Sequence, residues 1–133
     1  MKWKSRLMLE SVGKLNYAIV LCDDIDRMKA FYREFFPFPV VSETETSLAL
    51  GAGHVLLALR KRERSYDGRG GGAASPGVQL AFLVLPEEVD VCYQRLAERG
   101  VEILEPPTGQ ARGHRTVYFS DPEGNILEVY AEI

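Results

Sequence analysis

A pattern that occurs twice constrains this chain more than any other property. Leu15-Asn16-Tyr17-Ala18-Ile19-Val20-Leu21 is a run rich in β-formers stopped by Asp23-Asp24, and Val78-Gln79-Leu80-Ala81-Phe82-Leu83-Val84-Leu85 is a second such run ended by Pro86. Each leads into a segment with helical apolar spacing. The first holds Ile25, Met28, Phe31, Tyr32 and Phe35 and is closed by Pro37 and Pro39. The second holds Val89, Cys92, Tyr93 and Leu96, with Pro86 at a favourable first-turn position and Gly100 where a left-handed cap is wanted. Tyr17 to Phe31 and Gln79 to Tyr93 are both steps of 14 residues, so strand and helix keep one offset in both halves. Three strand-like runs follow each helix: Pro39–Val41, Thr46–Leu50 and His54–Leu59, then Val101–Leu104, His114–Ser120 and Asn125–Ala131. Gly51-Ala52-Gly53 and Asp121-Pro122-Glu123-Gly124 supply turns between the last two runs of each set. The expected architecture is α+β, a tandem of two βαβββ modules.

At 133 residues this duplication fills the chain, and a single domain is expected over 1–133, with module one at 15–61, a linker at 62–77 and module two at 78–132. Five of the twelve glycines lie in Gly68–Gly77, which leads into a strand rather than opening a helix, so a phosphate-cradling loop is disfavoured. Arg60, Lys61, Arg62, Arg64 and Arg69 have no interleaved aromatic platform beyond Tyr66 and read as a solvated basic linker. The net charge of −3 divides unevenly, +3 over residues 1–70 and −6 over 71–133, and gives a polyanion-binding role no support; no nucleic-acid partner is expected. Cys22 and Cys92 stand without short Cys/His spacing and read as reduced thiols. No apolar run approaches the ~20 residues a bilayer needs, so no membrane association and a cytoplasmic location are expected.

The two βαβββ units, Asp23-Asp24-Ile25-Asp26 leading into a helix with Phe31-Tyr32, and the close Tyr118-Phe119-Ser120-Asp121-Pro122-Glu123-Gly124-Asn125-Ile126-Leu127-Glu128 resemble the vicinal oxygen chelate superfamily. This is the glyoxalase, bleomycin-resistance protein and extradiol dioxygenase group, and the resemblance covers about residues 15–132. It implies that each unit curls a mixed sheet into half of a cleft. It also implies that the metal enzymes of the group place ligands on the first and last strand of both units, positions that read here as Tyr17, Leu57, Gln79 and Glu128. Fold alone does not fix function in this group, which includes metal-dependent isomerases, epimerases, thiol transferases and dioxygenases beside metal-free proteins that sequester a drug.

Strand alternation places Glu128 opposite Leu127 and Val129, and the same parity sends Ile126, Tyr130, His114, Thr116 and Tyr118 to the cleft. Ile19, Ala49, Val55, Leu59, Ala81 and Leu83 join them on the other strands, making a mostly apolar pocket with a polar minority. Transition-metal sites want three or more imidazole and carboxylate ligands, whereas these positions offer one carboxylate, one amide, a phenol and a leucine. No cofactor is therefore expected; a divalent metal, if present, would sit on Glu128, Gln79 and His114. His54 reads as structural, and His114 as either a loop residue or a general base. Cys22, Cys92, Phe35, Phe36 and Phe38 read as core. The expected function is binding of a small organic molecule through Tyr17, Leu57, Gln79, His114, Thr116, Tyr118, Glu128 and Tyr130, with no catalytic residue assigned. A metal-dependent lyase, isomerase, thiol transferase or dioxygenase is the alternative. Exposed strand edges in so short a chain lead to the expectation of a homodimer.

Overall fold

The structure is a computed structural model that describes residues 8–70, 76–110 and 113–133; the start of the tail and the centre of the glycine-rich linker lie outside these. The element order is β1 (Tyr17–Cys22), α1 (Ile25–Phe35), β2 (Val40–Thr44), β3 (Ser47–Ala52), β4 (Val55–Lys61), β5 (Gln79–Leu83), α2 (Glu88–Glu98), β6 (Ile103–Gln110), β7 (His114–Ser120) and β8 (Ile126–Glu132). The strands form two four-stranded sheets of the same topology, β1-β4-β3-β2 and β5-β8-β7-β6. In each, the first and last strands of the unit pair in parallel while the remaining pairs are antiparallel. The expected α+β duplication is the observed fold.

Local chemistry accounts for the helix ends. The Asp24 side chain accepts from the Arg27 N–H at 3.1 Å and caps α1, satisfying one of the donors a helix start leaves orphaned. Gly100, at φ 73°, takes the left-handed conformation that ends α2, and Val101 N–H then returns to the Leu96 carbonyl at 3.1 Å. Pro86 is not in the first turn of α2; it lies in a preceding turn, and the helix begins at Glu88. The first hairpin turn also differs from expectation, since β3 continues to Ala52 and only Gly53-His54 make the reversal, with Gly53 at φ 76°. The run expected to stop at Leu104 continues to Gln110 as β6 across Pro106 and Pro107. An edge strand tolerates two missing donors, and the register shift between Glu105 and Thr108 absorbs them.

One hydrophobic core joins both units. Val20, Cys22, Leu48, Leu50, Leu57 and Leu59 of the first sheet and Val117, Phe119, Leu127, Val129 and Ala131 of the second are buried in one cluster with Met28, Phe31 and Tyr32 of α1 and Val89 and Leu96 of α2. Phe36 and Phe38 pack on Phe82 of the other unit with ring centroids 4.5 and 6.0 Å apart, so the aromatic set around Pro37 and Pro39 seals the units together. The Asp121–Asn125 turn is the polar half of that seam. Asp121, buried, accepts from the Tyr32 hydroxyl at 2.8 Å, from Asn125 Nδ2 at 2.9 Å and from the Glu123 and Asn125 N–H groups. Asn125 Oδ1 in turn accepts from the Gly77 and Val78 N–H groups. Glu123 reaches across to the start of α1, where its carboxylate accepts from Asp23 N–H at 2.9 Å and Asp24 N–H at 2.7 Å.

Candidate functional site

The helices cover one face of each sheet and leave the other open. Residues paired across a ladder share a face, so the register assigns every strand position. On the first sheet the helix-free face carries Tyr17 with Leu56 and Gly51, Ile19 with Ala58 and Ala49, and Leu21 with Arg60 and Ser47. On the second it carries Gln79 with Ile126 and Ser120, Ala81 with Glu128 and Tyr118, Leu83 with Tyr130 and Thr116, and Glu132 with His114. Tyr17, Ile19 and Leu83 are 44, 53 and 62% exposed, large apolar side chains left open to solvent.

The expected site residues divide under this register. Tyr17, Gln79, Glu128, Tyr118, Tyr130, Thr116 and His114 lie on the helix-free face, although Thr116 is buried within it. Leu57 does not. It pairs with Ala18 and Leu50 and is buried against the helices, as Leu59 is, and Val55 shares their parity. The β4 register is displaced by one residue from that expected: Leu56, not Val55, faces Tyr17, and Ala58 is the counterpart of Glu128, since Ile19 pairs with Ala58 as Ala81 pairs with Glu128. From the turn glycine to the residue level with the start of the parallel partner is three residues in the first unit, Gly53 to Leu56, and two in the second, Gly124 to Ile126. A one-residue slip moves every side chain to the opposite face. The available signal was Leu57-Ala58-Leu59, where the two larger residues take the core and the methyl group faces out.

At the centre of the second sheet, Gln79 Nε2 donates to Glu128 Oε1 at 2.9 Å. The contact is diagonal, from one strand position before Ala81 on that face to the partner of Ala81, and the Ala81 methyl leaves the space between low. His114 is separate from this pair. It aligns with Glu132, four residues along β7 from Tyr118, which is about 13 Å at the usual strand rise. Its ring packs on Tyr130 at a centroid distance of 4.8 Å.

The metal implied by the resemblance does not fit these donors. Ala58 and Leu57 cannot ligate, His114 is too far along the strand to share an ion with Glu128, and the NH2 group of Gln79 is turned toward the carboxylate. Among the described residues no group of three His, Cys, Asp or Glu side chains is arranged to hold an ion.

The start of the linker is built rather than solvated. Asp67, buried, takes both guanidinium nitrogens of Arg60, at 2.9 and 2.8 Å, and accepts from the Glu63 and Arg64 N–H groups. The Arg60 hydrogen bonds, followed by those backbone donors, hold the Asp67 carboxyl well below the usual carboxylate range. Arg62 pairs with Asp23 at 3.2 Å and donates to the Asp67 carbonyl. Gly70 passes so close to Asp23 that a Cβ there would overlap its carboxylate at 1.6 Å. Neither the Arg60–Asp67 pair nor the Glu123 cap is encoded in a periodicity; Asp67 is one of two acids, with Glu63, in that basic, glycine-rich run.

Placement lowers the reactivity of both thiols, most for the buried Cys22. Burial, with a smaller contribution from Glu123, pushes the Cys22 thiol up to about 12, and burial also raises that of the half-buried Cys92.

Comparison with known proteins bears on the whole chain. The model of the Glyoxalase/Bleomycin resistance protein/Dioxygenase superfamily matches residues 14–129. A metallothiol transferase FosB of Staphylococcus saprophyticus is 25% identical over 123 residues, spanning 92% of this chain and 78% of the relative. Among solved structures, a glyoxalase/bleomycin resistance protein/dioxygenase from Nocardioides superposes with a TM-score of 0.80 at 23% identity, covering 98% of this chain and 90% of the other. A lactoylglutathione lyase from Agrobacterium tumefaciens does so with a TM-score of 0.72 at 22% identity, covering 90 and 94%.

Proposed function

The chain belongs to the glyoxalase/bleomycin resistance protein/dioxygenase superfamily, and from that membership we propose that it binds a small organic molecule on the helix-free face of its sheets, without a catalytic metal. The observation that carries this reading is the Gln79–Glu128 hydrogen bond. An amide donor faces the Glu128 carboxylate at the place where a cation would otherwise balance it. Around the pair the face is largely apolar or aromatic, from Ala81, Leu83 and Ile126 to Tyr118 and Tyr130, the composition of a small-molecule site. Glu128 and the acidic second half favour a cationic ligand. A protein acting in this way works by sequestration and needs no reacting group. The exposed Tyr17, Ile19 and Leu83 support a second copy of the chain closing the face, in a homodimer in the cytoplasm.

Elemental analysis of the purified protein tests the reading, with no stoichiometric transition metal and no change of melting temperature on adding chelator as the expected result. One tightly held ion per chain, lost in Glu128→Ala, would overturn it. That outcome is the one expected of the second reading, a metal-dependent transferase or lyase, which the names of the FosB relative and the Agrobacterium structure favour.

A further inference from the structure

We propose that the ligand of this face is an amidinium or guanidinium, read jointly by Glu128 and Gln79. The inference rests on the ligand-binding reading above and narrows it. A carboxylate can only accept, so the amide atom facing Glu128 Oε1 is Nε2, and the Gln79 carbonyl oxygen is turned away from it. The bond holds the two planar head groups side by side. It leaves Glu128 Oε2 and Gln79 Oε1 as two acceptors to which no donor among the described residues is bonded. One is charged and one neutral.

A partner that satisfies both needs two N–H donors a fixed distance apart and one positive charge. An amidinium or guanidinium supplies these in one plane, while an ammonium offers them on tetrahedral corners. The surroundings suit a flat group. Ala81, in register with Glu128 on one side, contributes only a methyl, and Tyr118, in register on the other side, contributes an aromatic ring on the same face. Anions find no such support. Arg60 is the one Lys or Arg that the described strands place on this face, and Asp67 takes both of its terminal nitrogens.

Calorimetric titration of the full-length protein with benzamidinium, benzylammonium, benzyl alcohol and benzoate tests this. Benzamidinium should bind tightest, about tenfold more tightly than benzylammonium, and benzoate not at all. Glu128→Gln should weaken both cations by on the order of tenfold or more. Gln79→Leu should abolish the preference for benzamidinium while benzylammonium binding persists, and Gln79→Ser serves if the leucine variant does not fold. Equal binding of the two cations, a preference that survives loss of the amide, or tighter binding of benzyl alcohol or benzoate would overturn the proposal while leaving organic-ligand binding intact. Absence of benzamidinium binding would overturn it too. It would take the wider reading with it only if benzyl alcohol and benzoate also leave the NMR signals of this face unperturbed.

Discussion

Gln79 and Glu128 meet at 2.9 Å across β5 and β8, at two of the four positions that the family resemblance implies for ligands. The pair is hydrogen-bonded to itself, and neither member belongs to the core that joins the units. Gln79→Ala should therefore fold with a stability change of about 1 kcal/mol or less, because its side chain is exposed and water replaces the lost bond. Urea unfolding checks this. A loss of several kcal/mol would make the pair a structural element and remove it from the site.

Tyr32→Phe should be costlier. The hydroxyl donates to Asp121 Oδ2 inside the seam between the units, and its removal leaves a buried carboxylate oxygen one donor short. A destabilisation of about 1–3 kcal/mol is expected, measured by the same unfolding curves.

Glu123→Ala removes an acceptor from two N–H groups at the start of α1. About 1 kcal/mol of stability should be lost, in the range of a helix cap. Hydrogen exchange at Asp23 and Asp24 should accelerate more than exchange at core amides such as Leu59.

Asp67 gives the fold a defined acid sensitivity. Its carboxyl lies lower in the folded state than when unfolded, so the charged form is favoured by folding. The stabilisation is present above the unfolded value near 3.9 and is lost as pH falls from about there toward the lower folded value. Between pH 5 and 8 the Asp67→Asn variant should be less stable than the parent by a constant offset that narrows below about pH 4. Urea midpoints across that range check the sign; an offset that widens in acid would contradict it.

With its thiol pushed up to about 12 by burial, Cys22 should resist iodoacetamide at pH 8 in the native protein. Cys92, half-buried, should be alkylated first, and both should react once the chain is unfolded. Mass spectrometry of timed samples distinguishes the two sites.

The elements were legible in the sequence because local chemistry decides them: the apolar step from Ile25 to Phe35, the Asp24 cap and the Gly100 stop all act within a few residues. Five of the eight strands carried their facing in their alternation, and so Gln79 and Glu128 were placed on one face before any contact was known. Leu57 lies on the other face from that expected because facing on β4 depends on how far the paired position lies from the turn glycine, three residues from Gly53 to Leu56 against two from Gly124 to Ile126. Parity groups His114 with Glu128 although the two are far apart, because it reports the side of a sheet and not the distance along it. The Arg60–Asp67 and Glu123–Asp24 bonds depend on loop paths that no periodicity encodes.

Every strand ladder in the molecule closes within its own unit, and among the described residues no backbone-to-backbone hydrogen bond crosses from one unit to the other. The units meet through Tyr32 on Asp121, Glu123 on the start of α1, Phe36 on Phe82 and Arg99 on Glu34. A seam of this kind is indifferent to chain identity. Two molecules trading their second halves would re-form each of these contacts unchanged, and the segment after β4 alone would follow a different path. The duplicated unit is thus the exchangeable part, and the glycine-rich linker is the place where shortening by a few residues would convert a self-contained chain into an obligate pair.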